Sequence, residues 1–195
     1  MLSHLVGVLM RFLTLAECYA NKGFAEGLAD CLRNISGSGF GIRVIHKPNM
    51  GCDEILSRVR SDYLSRFCRN YRDECHNVVI VVIDREEGVS SLYIDKWLCA
   101  EHSASVGAPD FNIDLCVKEV GNWVVVGVVF NPRIEEAFIC KLKPSICRNP
   151  VLLNQVKSSE GTDKVKDMIR RYNKVSALIK DLANNVISFS KYIIK

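Results

Sequence analysis

Asn77-Val-Val-Ile-Val-Val-Ile83 runs without a break into Asp84-Arg-Glu-Glu-Gly88, and this passage decides the fold class. A run of β-branched residues with no polar position between them does not fit a strand that shows one face to water. It fits a strand buried on both faces, as in a parallel sheet covered by helices. The abrupt change from apolar to acidic at Asp84 marks the strand's carboxyl end.

Working outward, Arg11-Phe-Leu-Thr-Leu-Ala16 reads as a second buried strand ending at Glu17, followed by the loop Cys18-Tyr-Ala-Asn-Lys-Gly23. Phe24, Leu28, Leu32 and Ile35 recur at helical spacing and predict a helix over 24–35. Ser36-Gly-Ser-Gly-Phe-Gly41 then stops that helix. A strand over 42–46 and a helix over 53–72 come next, the latter with Ile55, Leu56, Val59, Tyr63 and Phe67 inward. Beyond the central run, residues 92–104 predict a helix and Gly107-Ala-Pro-Asp110 a polar stretch. Trp123-Val-Val-Val-Gly-Val-Val-Phe130 predicts a fourth strand, and 134–140 a short helix. Strands alternating with helices make this an α/β domain with a mostly parallel four-stranded sheet, assigned to residues 1–150.

Residues 151–195 read differently, as a basic amphipathic helical extension. Val165, Met168, Tyr172, Val175, Ile179, Leu182, Val186, Phe189 and Ile193 alternate at spacings of three and four, a heptad seam. Two arrangements fit that seam: a helix, straight or bent, laid on its own domain, which is favoured, or one paired with a second subunit as a homodimer.

The chain has 195 residues, 48% apolar and 25% charged, which excludes a fibre, a low-complexity tail and a miniature disulfide scaffold. A chain of this size buries roughly 70% of its unfolded surface and needs no metal or disulfide to hold its fold. No apolar run reaches the ~18–20 residues of a membrane span. The longest, over 5–16, contains Arg11 and lacks the basic start of a secretory signal, so the expected location is cytoplasmic, with no membrane partner. Residues 1–140 carry 14 basic against 18 acidic side chains, whereas residues 141–195 carry 12 against 4. A basic segment beside an acidic body suits contact with a polyanion, here nucleic acid, and suits a solvated helix face almost as well.

Nine cysteines, none in C-x-x-C spacing, do not suggest a structural zinc site, and most read as small buried apolar residues. The repeated C-x6-C spacing, Cys68/Cys75 and Cys140/Cys147, marks where disulfides would be sought first. Gly37, Gly39 and Gly41 do not make a dinucleotide fingerprint, and there is no phosphate-binding G-x-x-x-x-G-K-[ST]. His4, His46, His76 and His102 occur in no paired metalloprotease spacing, and nothing singles out a Cys/His pair for nucleophilic catalysis.

Carboxylates are what remain. Glu17 follows the first strand, Asp84 and Glu86 the third, and Glu135 and Glu136 the fourth. Ligands of parallel sheets bind beyond the carboxyl ends of the strands. In extended backbone, Asp84 and Glu86 share a side while Arg85 points away. Carboxylates gathered at one edge repel unless a cation sits among them, and a hard divalent ion such as Mg²⁺ or Mn²⁺ answers that need.

Three of these stretches resemble TOPRIM domains, the fold shared by certain nucleases, primases and topoisomerases. Leu13-Thr-Leu-Ala-Glu17 is similar to their first motif, a strand ending in glutamate, and Val79-Ile-Val-Val-Ile-Asp84-Arg-Glu86 to their D-x-D motif. Asn131-Pro-Arg-Ile-Glu-Glu136-Ala-Phe-Ile139 resembles a helix start found in small, uncharacterised TOPRIM-like proteins. The chain departs from the pattern at Cys18, where glycine is usual, at Glu86 in place of the second aspartate, and at Phe138 in place of tryptophan. The resemblance covers roughly residues 10–140. It implies a TOPRIM/Rossmann-like sheet and Mg²⁺-dependent phosphoryl transfer on nucleic acid. Asp84, Glu86 and Glu136 would hold metal; Glu17 and Asp84 would be catalytic, Glu17 as a second ligand or general acid/base. No strand-passage tyrosine is recognisable, so a nuclease is the expected subclass. The alternative is a catalytically inactive α/β scaffold serving as a nucleic-acid-binding or assembly protein.

Overall fold

The computed structural model describes residues 10–36, 40–46, 51–60, 78–86, 89–106, 110–121 and 123–193. The apolar run is a strand, β3 (Val78–Asp84), buried at every position as its composition requires. Beside it lies β1 (Met10–Ala16), and outside that β2 (Phe40–Ile45). Two helices connect them: α1 (Tyr19–Ser36) after β1, and α2 (Cys52–Arg60) after β2. The expected continuation of α2 over 61–72 lies outside the described residues, as do Cys68 and Cys75.

The sheet corrects the sequence reading. It has six strands, in the order β2-β1-β3-β6-β5-β4, and it is mixed. The first four in that order run parallel; β5 (Ile113–Val120) is antiparallel to β6 (Trp123–Phe130), and β4 (His102–Val106) is antiparallel to β5. The helix expected over 92–104 is cut short: α3 (Val89–Tyr93) continues as a π-helical turn over Ile94–Leu98, and β4 begins at His102. A disulfide from Cys99 to Cys116 ties the end of that turn to β5. β5 was missed although Ile113, Leu115 and Val117 alternate with Asp114, Cys116 and Lys118, the pattern of a strand with one face in the core. Asp114 pairs with Arg85 at 2.8 Å and Lys118 pairs with Glu101, so both charges are compensated where they lie. Gly121, at φ 59°, supplies the left-handed residue that turns β5 back into β6.

Alternation along the strands separates two cores. Phe12, Ala16, Val78, Ile80 and Val82 face one side, where α1 packs. Leu13, Leu15, Val79, Val81 and Ile83 face the other, against Ile55, Leu56 and Val59 of α2. The C-terminal seam joins the α1 side as two helices, α5 (Gly161–Arg171) and α6 (Asn173–Ile193), preceded by α4 (Pro150–Lys157). Tyr172 breaks the seam in an extended conformation, φ −101° and ψ 111°. Val165, Met168, Val175, Ile179, Leu182 and Val186 are buried in the core that α1 also faces. α5 approaches α1 closely: a Cβ on Gly23 would sit 2.5 Å from the Thr162 carbonyl oxygen. The Cys140/Cys147 pair of the C-x6-C spacing is a disulfide. Among the described residues, no helix is long and apolar enough to cross a membrane.

A carboxylate cluster at the carboxyl edge of the sheet

From β1 the chain goes through α1 to β2 on one side, and from β2 it crosses back through α2 to β3 on the other. The carboxyl ends of β1 and β3 therefore part at a topological switch point, the crevice where open α/β sheets take their ligands. Glu17 and Asp84 stand at that point.

They are joined directly. The backbone N–H of Asp84 donates to Oε2 of Glu17 at 2.9 Å, while the Glu17 N–H donates to the Val82 carbonyl at 3.2 Å. The N–H of Cys52, first residue of α2, also supports the Glu17 carboxylate. Asp84 is 6% exposed, and its Oδ1 accepts the Ile134 N–H at 3.0 Å and Asn21 Nδ2 at 3.3 Å. Four segments thus converge: the ends of β1 and β3, the first turn of α1, and the π-helical turn Glu135–Ile139 beyond β6.

The electrostatics are those of carboxyl groups confined together in a buried place. Burial chiefly, and then the Glu17 and Glu135 carboxylates, hold Asp84 well above the usual carboxylate range. Burial also raises Glu17, opposed by the two backbone N–H groups and reinforced by Glu86 and Glu135. Burial and the Asp84 charge push the neighbouring Cys18 thiol up to about 12, so it is no nucleophile at neutral pH.

Of the residues expected from the sequence, Glu17 and Asp84 meet. Glu86 is exposed and pairs with Arg133, Oε1 to Nε 2.7 Å. Glu136 is also exposed, and the acid buried at this end of the sheet is its neighbour Glu135, at 8%. Glu135 lies three and four residues before Phe138 and Ile139, which are buried, and so shares their inward face, whereas Glu136 does not. Among the described residues, no three His, Cys, Asp or Glu side chains are placed as they stand to hold one ion.

Two polar residues went unnoticed in the sequence. Asn21 is fully buried, and its Oδ1 has no hydrogen-bond partner. His46, just beyond β2, has Nδ1 3.1 Å from the Ala16 carbonyl oxygen, and its Nε2 is buried without a partner. A carbonyl only accepts, so Nδ1 carries the proton in that contact. The strand-end rule that picked out Glu17 and Asp84 would have picked out His46. Asn21 carried only the weaker signal of standing four residues after Glu17. With Nε of Arg85, these are the buried side-chain polar atoms left unpaired among the described residues, and all three lie just beyond strands of this edge or in the adjoining turn of α1. Buried polar atoms are ordinarily satisfied, so such a group points to a bound water, an ion or a catalytic role.

No family model, curated protein or solved structure matches the chain.

Proposed function

We propose that this edge is a divalent-cation site for phosphoryl transfer on nucleic acid, of the nuclease type. The observation that carries the reading is the junction of Glu17 and Asp84 at the switch point, both carboxyls raised chiefly by burial and further by neighbouring carboxylates, Glu17 and Glu135 acting on Asp84, and Glu86 and Glu135 on Glu17. The donor set fits a hard ion: the carboxylates of Glu17 and Asp84, that of Glu135 nearby, and the unpartnered Asn21 Oδ1 are all oxygen. Mg²⁺ takes one or two protein carboxylates and completes its shell with water and substrate phosphate, so two converging acids suffice. When bound, the ion would polarise a phosphodiester and lower the pKa of a coordinated water.

The protein's own groups do the rest. Asp84 Oδ1 is occupied by the two N–H donors, which leaves Oδ2 to face the ion. Glu17, held beside Asp84 at the switch point, is placed to accept a proton from water. Glu86 and Arg133 form an exposed ion pair beside the cluster, where the guanidinium can meet a phosphate once Glu86 releases it. Metal ligation by Glu86 and Glu136, which the TOPRIM resemblance implies, needs both side chains to turn inward.

A second reading has its own support. The ion pair of Glu86 with Arg133, which engages an acid that the TOPRIM resemblance makes a metal ligand, favours a catalytically inactive scaffold that binds nucleic acid or assembles with other chains. Calorimetric titration with Mn²⁺ and Mg²⁺, wild type beside Asp84→Asn, separates the two. Binding lost in the variant, followed by divalent-dependent cleavage of an oligonucleotide, supports the enzyme. No binding and no cleavage moves the assignment to the scaffold.

A further inference from the structure

We infer that the cleft between α2 and α3 binds an unstacked base, with its phosphate, of a single-stranded nucleic acid; this rests on the phosphoryl-transfer reading of the adjoining acids. Asp53, Leu56, Ser57 and Arg60 form one face of α2, Tyr93 stands opposite, and the space they line is about 560 Å³. Binding sites for compact ligands span roughly 300–1,000 Å³. Tyr93 is 43% exposed, far more than a core aromatic. The Arg60 guanidinium lies 5.2 Å from the Tyr93 ring centroid and 5.6 Å from that of Trp97. Arg60 is exposed at the end of α2, where a guanidinium stacked on aromatic rings can turn its N–H edges to an anion.

An exposed aromatic face beside an arginine is the recurring means of holding single strands, because every base has a π-face and every nucleotide a phosphate. A base still paired and stacked in a duplex does not present that face, so the cleft selects single strands. Its position agrees with the acids. α2 begins at Cys52, whose N–H supports Glu17, and Arg60 ends the helix about 12 Å further along by the rise per residue. A strand with its scissile phosphate at Glu17 and Asp84 lays a neighbouring nucleotide along α2. Asp53 lies at the end of the cleft nearest the acids, so charge selection of the strand falls to Arg60.

The test is fluorescence anisotropy of a labelled short oligonucleotide in EDTA, which separates binding from cleavage. The full-length chain is compared with Tyr93→Ala, Tyr93→Phe, Arg60→Gln, Asp84→Asn and Arg33→Gln in the last turn of α1, with circular dichroism confirming each fold. Loss of one stacking contact weakens binding roughly 5- to 150-fold, and that is expected for Tyr93→Ala. Arg60→Gln should weaken it comparably, while Tyr93→Phe and Arg33→Gln remain within about twofold of wild type. Undiminished binding by folded Tyr93→Ala and Arg60→Gln would overturn the assignment. So would a wild type that binds no strand, one that prefers the matching duplex, or one from which a free mononucleotide displaces the strand at equal concentration. If Asp84→Asn binds normally and still cleaves in Mg²⁺, the metal reading fails while the cleft stands. If Asp84→Asn loses cleavage but Tyr93→Ala binds normally, the cleft fails while the metal reading stands.

Discussion

The backbone N–H of Asp84 hydrogen-bonds to the Glu17 carboxylate at 2.9 Å, across 67 positions of sequence. One contact therefore ties the carboxyl ends of β1 and β3 together where the chain reverses its winding. It also holds two acids in a buried place, where the Glu17 charge makes Asp84 harder to ionise.

That geometry sets a pH dependence. In the folded state both pKa values lie above those of the unfolded chain, so the native state keeps protons that the unfolded state has released. Stability of the metal-free protein should be fullest below about pH 4 for these two groups and should fall as pH rises through their folded values. Asp84→Asn keeps an oxygen for the Ile134 and Asn21 donors and removes the charge. It should melt above wild type at pH 8, by about 1 kcal/mol or roughly 2–4 °C, with the gap closing toward pH 4. Thermal denaturation in EDTA at several pH values reads this directly, and a gap independent of pH would refute it.

A cation at the cluster reverses the same effect. Mn²⁺ at 100 times its dissociation constant should stabilise wild type by about 2.7 kcal/mol near neutral pH and leave Asp84→Asn unmoved. Differential scanning fluorimetry against Mn²⁺ concentration gives both curves; parallel shifts in the two proteins would place the ion elsewhere.

Glu17 is assigned the proton transfer. Glu17→Gln retains an oxygen to accept the Asp84 N–H and loses the base, so cleavage of an oligonucleotide should fall about 10²- to 10⁴-fold. The measurement is single-turnover cleavage in Mg²⁺. A loss under tenfold with the fold intact would remove Glu17 from that role.

Gly23 answers for the packing of α5 on α1. A Cβ there meets the Thr162 carbonyl oxygen at 2.5 Å and Cβ of Val165 at 2.9 Å, and backbone cannot swing aside as a flexible side chain does. Gly23→Ala should therefore destabilise by about 1–3 kcal/mol despite the better helix propensity of alanine. Urea denaturation measures it, and a stabilised variant would show that the two helices pack more loosely.

Thiol chemistry separates the cysteines. Cys18, whose thiol is pushed up to about 12, and Cys52, raised by burial and by Glu17, should resist iodoacetamide in the native protein at pH 8. Both should react on unfolding without reductant, while Cys99, Cys116, Cys140 and Cys147 should react only after reduction. Mass spectrometry of the alkylated peptides assigns each site, and label on any of those four before reduction would count against its bridge.

Much of this architecture was legible in residues whose composition admits one environment. The run from Val78 to Ile83 belongs in a two-sided core, and the acids that end β1 and β3 stand where the strand-end rule placed them. β5 was legible and missed: Ile113, Leu115 and Val117 alternate with Asp114, Cys116 and Lys118 as a one-sided strand requires, and the helix expected over 92–104 and the polar stretch after it drew attention from it. The break at Tyr172 could not show in the seam, because spacings of three and four stay in register through an extended residue as well as through a helical one. The choice between Glu135 and Glu136 was legible in their spacing: Glu135 stands three and four residues before the buried Phe138 and Ile139. Asn21 and His46 matter for atoms left unpaired, and pairing is a property of the folded chain alone.

The burial of α1 bears on how the protein is made. Phe24, Ala25, Leu28 and Leu32 share a core with the sheet, while Gly23 and Gly27 lie against Thr162 and Ile169 of α5. A chain still emerging from the ribosome can pair β1, β2 and β3 but has nothing to cover the outer side of α1 until α5 and α6 have been synthesised. Final consolidation of the core thus waits for the C-terminal residues. A product truncated before Gly161 exposes the outer surface of α1, the kind of surface that chaperones and proteases act on.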